Sequence, residues 1–174
     1  MDKFLRALAS AQPSPGGGSA AALVGSCGVA LIEKILRILV GRPAVSRLLR
    51  IQLKSRLKIL SRSSERLRDL IHEDAKAYQQ WVRAHHTNRG VVQAQRRIVR
   101  TPLEMCAIVC EARKVSRWMK PWIGPLLGSD LKAADAFLDA AFVAAQSMVR
   151  INCNAPGFPP ALKRAPLSQL RKNV

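Results

Sequence analysis

Hydrophobic residues recur along this chain at helical rather than strand spacing. Between Ala44 and Ala84 they fall at Val45, Leu49, Leu53, Leu57, Leu60, Leu67, Ile71, Tyr78 and Trp81, mostly in steps of three, four or seven. Such steps place them on one stripe of a helix. No Pro or Gly interrupts the stretch, and Arg and Lys lie mainly off the stripe. At 1.5 Å per residue this predicts one helix of about 60 Å. A helix that long needs partners along its length, so the pattern points to an antiparallel helical bundle, a dimer, or both.

The neighbouring segments read the same way. Asp2 is expected to cap a short helix reaching Ser10. The run AQPSPGGGS then carries two prolines and three glycines, which stop one helix and start another. An apolar helix is expected from Gly17 to Val40, where Ala20, Ala21, Ala22, Gly25, Ser26 and Gly28 let neighbours approach closely, and Gly41-Arg42-Pro43 breaks it. After the polar break HHTNRG, a segment runs from Val91 to Met119, with Pro102 interrupting it or opening its second half. Residues Trp118 to Pro125 read as a loop, and Ser129 as an N-cap with Asp130 in the first turn. The last helix reaches Asn152, with Leu131, Ala134, Leu138, Ala141, Ala145 and Val149 on one face. The expectation is an all-α chain: a single domain over residues 1–154, then a basic, Pro-containing tail over 155–174.

Composition narrows the function. Hydrophobic residues make up 48%, too many for a disordered chain. Lys and Arg total 29 against 11 Asp and Glu, a formal charge of +18. That excess fits phosphate neutralisation on a nucleic acid, attraction of an anionic small substrate, or compositional drift. The basic residues are spread along the chain, with no zinc-finger spacing and no aromatic RNA-binding motif, so no specific nucleic-acid partner is expected. The uncharged part of the apolar helix ends at Ile32, short of the roughly 20 residues that cross a bilayer, so no membrane partner is expected either. The start MDKFLRALAS lacks a long apolar run. A cytoplasmic protein with reduced thiols is the expectation, with Cys106 and Cys110 as core residues and no metal.

Two features carry candidate chemistry. The first is the loop containing Pro15, Gly16, Gly17, Gly18 and Ser19. Glycines at a helix start let a ligand touch the backbone, and free N–H groups there attract negative charge. By themselves the three glycines read first as a plain loop and cap, and no GK[ST] follows to make a nucleotide loop. The second is Asp74, which continues the stripe after Leu67 and Ile71. A carboxylate on the core-facing side has its pKa raised by burial and suits proton transfer. It fits just as well an Asp paired with an Arg from another helix.

These features sit in a longer pattern. The stretch FLRALASAQPSPGGGSAAALVGSCGVAL resembles the opening of the methenyltetrahydrofolate cyclohydrolase and formimidoyltetrahydrofolate cyclodeaminase family, which also supplies the C-terminal half of formiminotransferase-cyclodeaminase. Gly41-Arg42, Glu73-Asp74-Ala75-Lys76-Ala77-Tyr78, Pro102-Leu103, Ser129-Asp130-Leu131 and Ile151-Asn152 resemble its later motifs in order. The chain departs from the pattern at His72, at Pro125, at Met148 and in a short connection after His86. The resemblance implies an all-helical homodimer that acts on a folate, polyglutamylated or not, without a further cofactor. It implies hydrolysis of 5,10-methenyltetrahydrofolate to 10-formyltetrahydrofolate, with ammonia-releasing cyclodeamination as the alternative. A non-catalytic basic RNA-binding module is the more distant one. Asp74 is then the expected acid–base group, Pro15 to Ser19 position the substrate, Arg42 and Arg89 hold the glutamate tail, and Ser129 and Asp130 contact substrate.

Overall fold

The computed structural model describes residues 1–155, 158–160, 163, 166 and 168. In chain order come α1 (Asp2–Leu8), α2 (Gly17–Gly41), α3 (Arg47–Thr87), α4 (Val91–Met119), a 3₁₀ turn (Lys120–Trp122) and α5 (Pro125–Cys153). No strand occurs among the described residues. None of these helices is long and apolar enough to cross a membrane.

Helix α2 packs on α3 and α5, and α4 closes on the same two. Gly18 meets Asp74 of α3, Glu33 accepts from Ser61 at 3.2 Å, and Arg50 reaches the Val40 carbonyl at 2.8 Å. Toward α5, Gly17 lies near Met148, Gly28 on Leu138, and Lys34 pairs with Asp130 at 2.8 Å. The small residues of α2 do what their size suggests. A Cβ on Gly28 would stand 2.9 Å from the Leu138 side chain and 3.2 Å from the Ala134 carbonyl. Ile32, Ile35 and Leu36 fill the core from α2, and Leu53, Leu60, Leu67 and Leu70 from α3. Cys106, Cys110 and Cys153 are buried, and burial pushes the Cys106 thiol up to about 12.

The long helix forms, but its buried face is a cleaner heptad than the expected stripe. Leu53, Leu60 and Leu67 are buried at seven-residue steps, with Leu70, Ala77 and Ala84 beside them. Asp74 holds the next position in the first of these registers. Tyr78, expected on the core stripe, is 38% exposed. The turn into α4 is tight because Asn88 (φ 51°) and Gly90 (φ 65°) both adopt left-handed backbone.

Three local expectations are corrected. Asp2 does not cap α1; it is the first helical residue, after Met1. Ser129 is not an N-cap, because α5 starts at Pro125, whose fixed φ and missing N–H suit a first helical position. Pro102 neither interrupts α4 nor opens its second half; the helix continues through it. The Ile98 carbonyl, which Pro102 cannot bond, accepts from Asn152 Nδ2 at 2.7 Å instead. The expected tail lies mostly outside the described residues, although Phe158 is buried against the core.

Candidate active site

The glycine loop delivers the chain to the start of α2, where Gly16 is the N-cap and no side chain of the loop caps the free N–H groups. The group facing that end is the Asp74 carboxylate. Gly18 is buried, and a Cβ there would overlap the Asp74 carboxyl group. Ser19 is fully buried; its hydroxyl lies 2.8 Å from the Ile71 carbonyl and 3.1 Å from Asp74 Oδ2. Burial raises the Asp74 pKa above the usual carboxylate value, while the Ser19 side chain and backbone pull it back down. Burial wins. The result is a carboxyl group that holds its proton more readily than a free carboxylate does.

Asp74 opens into a cavity of about 380 Å³ lined by Pro13, Ser14, Gly16, Gly17 and Gly18 and by Tyr78, Ile98, Met148, Ile151 and Asn152. A cleft of about 590 Å³ adjoins it and shares Tyr78, Ile98, Ile151 and Asn152. Trp81 walls this second space, with its ring 5.9 Å from Tyr78 and 4.4 Å from His85. Among the described residues, Trp81 Nε1 and both amide atoms of Gln95 are buried without a hydrogen-bond partner. Together the two spaces offer a carboxyl group at one end and an aromatic wall at the other.

The residues flanking Asp74 do other work. Arg66 grips Glu73 and Glu104 together at 2.6 Å each, and its guanidinium holds the Glu73 carboxyl below the usual range. His72 is exposed. Glu73 therefore belongs to a surface clamp, and among the described residues the partner of Asp74 is Ser19 rather than an arginine.

The remaining expected residues fall elsewhere. Gly16, Gly17 and Gly18 line the cavity with Asp74, and Ser19 reaches Asp74 through its hydroxyl, while Pro15 is not among the lining residues. Arg89 lies at the α3–α4 turn, where it lines a separate cleft of about 330 Å³ with Arg83 and Arg97. About 20 Å of helix separates Asp74 from that turn. Arg42 lies at the far end of α2, about 36 Å along the helix from the loop, and donates to the Trp122 carbonyl at 3.4 Å. Ser129 and Asp130 share that far end, and about 27 Å of α5 separates Asp130 from Met148. Within one chain these three do not reach the Asp74 cavity. Of the departures from the family pattern, Met148 lines the cavity and Pro125 does not.

Sequence reasoning missed Ile98 and assigned no ligand role to Tyr78 or Asn152. The available signal was Pro102 inside a helical pattern, because it frees a carbonyl that some polar side chain must satisfy.

The chain is similar to known proteins in sequence and in fold. An 82-residue stretch is 33% identical to methenyltetrahydrofolate cyclohydrolase of Methylorubrum extorquens; it covers 45% of this chain and 37% of that protein. The fold matches formiminotetrahydrofolate cyclodeaminase of Thermotoga maritima with a TM-score of 0.92, over 99% of this chain and 87% of that one, at 18% identity. Residues 1–156 match the formiminotransferase-cyclodeaminase family, and the chain belongs to it.

Proposed function

We propose that this protein hydrolyses 5,10-methenyltetrahydrofolate to 10-formyltetrahydrofolate. The observation that carries the reading is Asp74: a half-buried carboxyl group of raised pKa at a glycine-rich helix start, open to a cavity. The substrate's amidinium carbon is already electrophilic. Ionised Asp74 takes a proton from water as the water oxygen bonds that carbon. The protonated carboxyl then gives its proton to N5 as the C–N5 bond breaks. The hydroxyl proton leaves to solvent, and the formyl group stays on N10. One group serves as base and then acid, which needs a pKa nearer neutrality than a free carboxylate has.

In this reading Pro15 to Ser19 shape the substrate's seat, and no cofactor takes part. Arg89, with Arg83 and Arg97, provides positive charge for glutamate carboxylates. Arg42, Ser129 and Asp130 join the site only as residues that a second chain presents. An antiparallel bundle that pairs as a homodimer in the cytoplasm completes the proposal.

The likeness to a cyclodeaminase fold favours a second reading, closure of formimidoyltetrahydrofolate with release of ammonia in the same cavity. The test is purified protein with each substrate. Loss of the methenyl near-ultraviolet absorbance above its spontaneous rate supports the hydrolase. Ammonia release with a rise in that absorbance supports the deaminase. Neither change would remove both.

A further inference from the structure

Asn152 joins two features of the fold. Its side chain lies in the wall shared by the Asp74 cavity and the Trp81 cleft. Its Nδ2 donates at 2.7 Å to the Ile98 carbonyl, the acceptor left over because Pro102 has no N–H. A carbonyl oxygen is approached only by a donor, so the amide cannot be turned the other way round. Oδ1 is therefore the edge of the amide that does not meet Ile98, and among the described residues nothing donates to it.

We propose that Asn152 Oδ1 accepts a hydrogen bond from an N–H of the bound ligand's ring, and that Pro102 is the positioning residue that keeps this oxygen facing the ligand. The inference rests on the folate reading: a reduced pterin ring carries several N–H donors, and an acceptor in the wall between Asp74 and the aromatic residues is complementary to them. Pro102 touches no ligand itself. It acts through the Ile98 carbonyl, which holds the other end of the amide.

The test uses 5-formyltetrahydrofolate as probe and the full chain, with affinity and thermal stability both measured. Asn152→Leu is expected to bind the probe about tenfold more weakly, the usual effect of one buried hydrogen bond. Pro102→Ala restores a helical N–H to the Ile98 carbonyl, so α4 should hold or gain stability while the freed amide lowers affinity several-fold. In the double variant, stability lost in Asn152→Leu should return, because the new backbone N–H satisfies the Ile98 carbonyl, but affinity should not. Affinity losses that add independently would mean that Pro102 does not act through Asn152. Wild-type affinity in Asn152→Leu would overturn this inference and leave the folate reading standing. A wild-type protein that binds no probe would take down both.

Discussion

The Ser19 hydroxyl lies 2.8 Å from the Ile71 carbonyl and 3.1 Å from Asp74 Oδ2, and it has one proton for two acceptors. When Asp74 is ionised, the hydroxyl must choose between them. When Asp74 is protonated, the carboxyl donates to Ser19, and Ser19 to Ile71, so every group is satisfied. The geometry and the raised pKa agree that the neutral acid is well accommodated. Ser19→Ala removes a donor to the anion, so the Asp74 pKa should move further up. The acid limb of the pH–rate profile is then expected at higher pH, with turnover on the plateau little changed. An unmoved limb would separate Ser19 from the proton chemistry.

Asp74→Asn should reduce turnover by about 10²–10⁴-fold, the usual worth of a positioned acid–base group. Its effect on stability has the opposite sign. Because burial holds the folded pKa above the ordinary 3.8, ionisation costs the native state more than the unfolded one. Wild-type stability therefore falls as pH rises from about 3.8 through the folded pKa, and the Asn variant escapes that loss. Thermal melts should show the variant more stable at neutral pH, with the gap closing once the pH falls below the ordinary carboxylate value. A variant less stable at neutral pH would mean that the charged form is favoured.

Gly18→Ala and Gly17→Ala should differ sharply. At Gly18 the new Cβ overlaps the Asp74 carboxyl group, so the acid must swing away and activity should drop at least about tenfold. At Gly17 the nearest atom would be Met148 Cε at 3.8 Å, an ordinary contact. Equal activity in the two variants would mean that the close approach of Asp74 to the helix start is not used.

Gln95→Leu is expected to stabilise the protein. Gln95 is 1% exposed, and neither of its amide atoms has a partner among the described residues. An unsatisfied buried amide costs about 1–3 kcal/mol, and Leu fills similar space without it. Denaturant titration should show the midpoint rising at constant slope. A fall would reveal a water or ligand that Gln95 holds.

Leu48, Ile51 and Ile59 leave an apolar stripe on the outer face of α3, exposed by 68%, 58% and 52%. Dimerisation is expected to cover apolar surface of this kind, and sedimentation at moderate salt should give roughly twice the chain mass of 19.1 kDa. In the same buffer, RNA should bind without sequence preference and dissociate steeply with added salt, as expected for a charge of +18. A 19.1 kDa species would count against the dimer. Salt-resistant binding of one structured RNA would give the charge a function of its own.

Much of this protein is local and therefore legible in the chain. Hydrophobic spacing, the Pro-Gly punctuation after Ala11 and the unbroken run to Ala84 specify where helices lie, because 3.6-residue periodicity and backbone permissiveness are properties of neighbouring residues. They also place Asp74 on a core-facing register and glycines at the start of α2. Which atoms meet is a matter of packing between helices. Only the tertiary structure brings Gly18 against Asp74 and gives Ser19 two acceptors. Only it sends Arg42, Ser129 and Asp130 to the far end of the helices from the cavity, because a residue's distance from a site depends on helix direction. Pro102 is the clearest case. From sequence it reads as an interruption, since a helix loses a hydrogen bond there. In the fold, Asn152 of the next long helix supplies the missing donor, and α4 runs through.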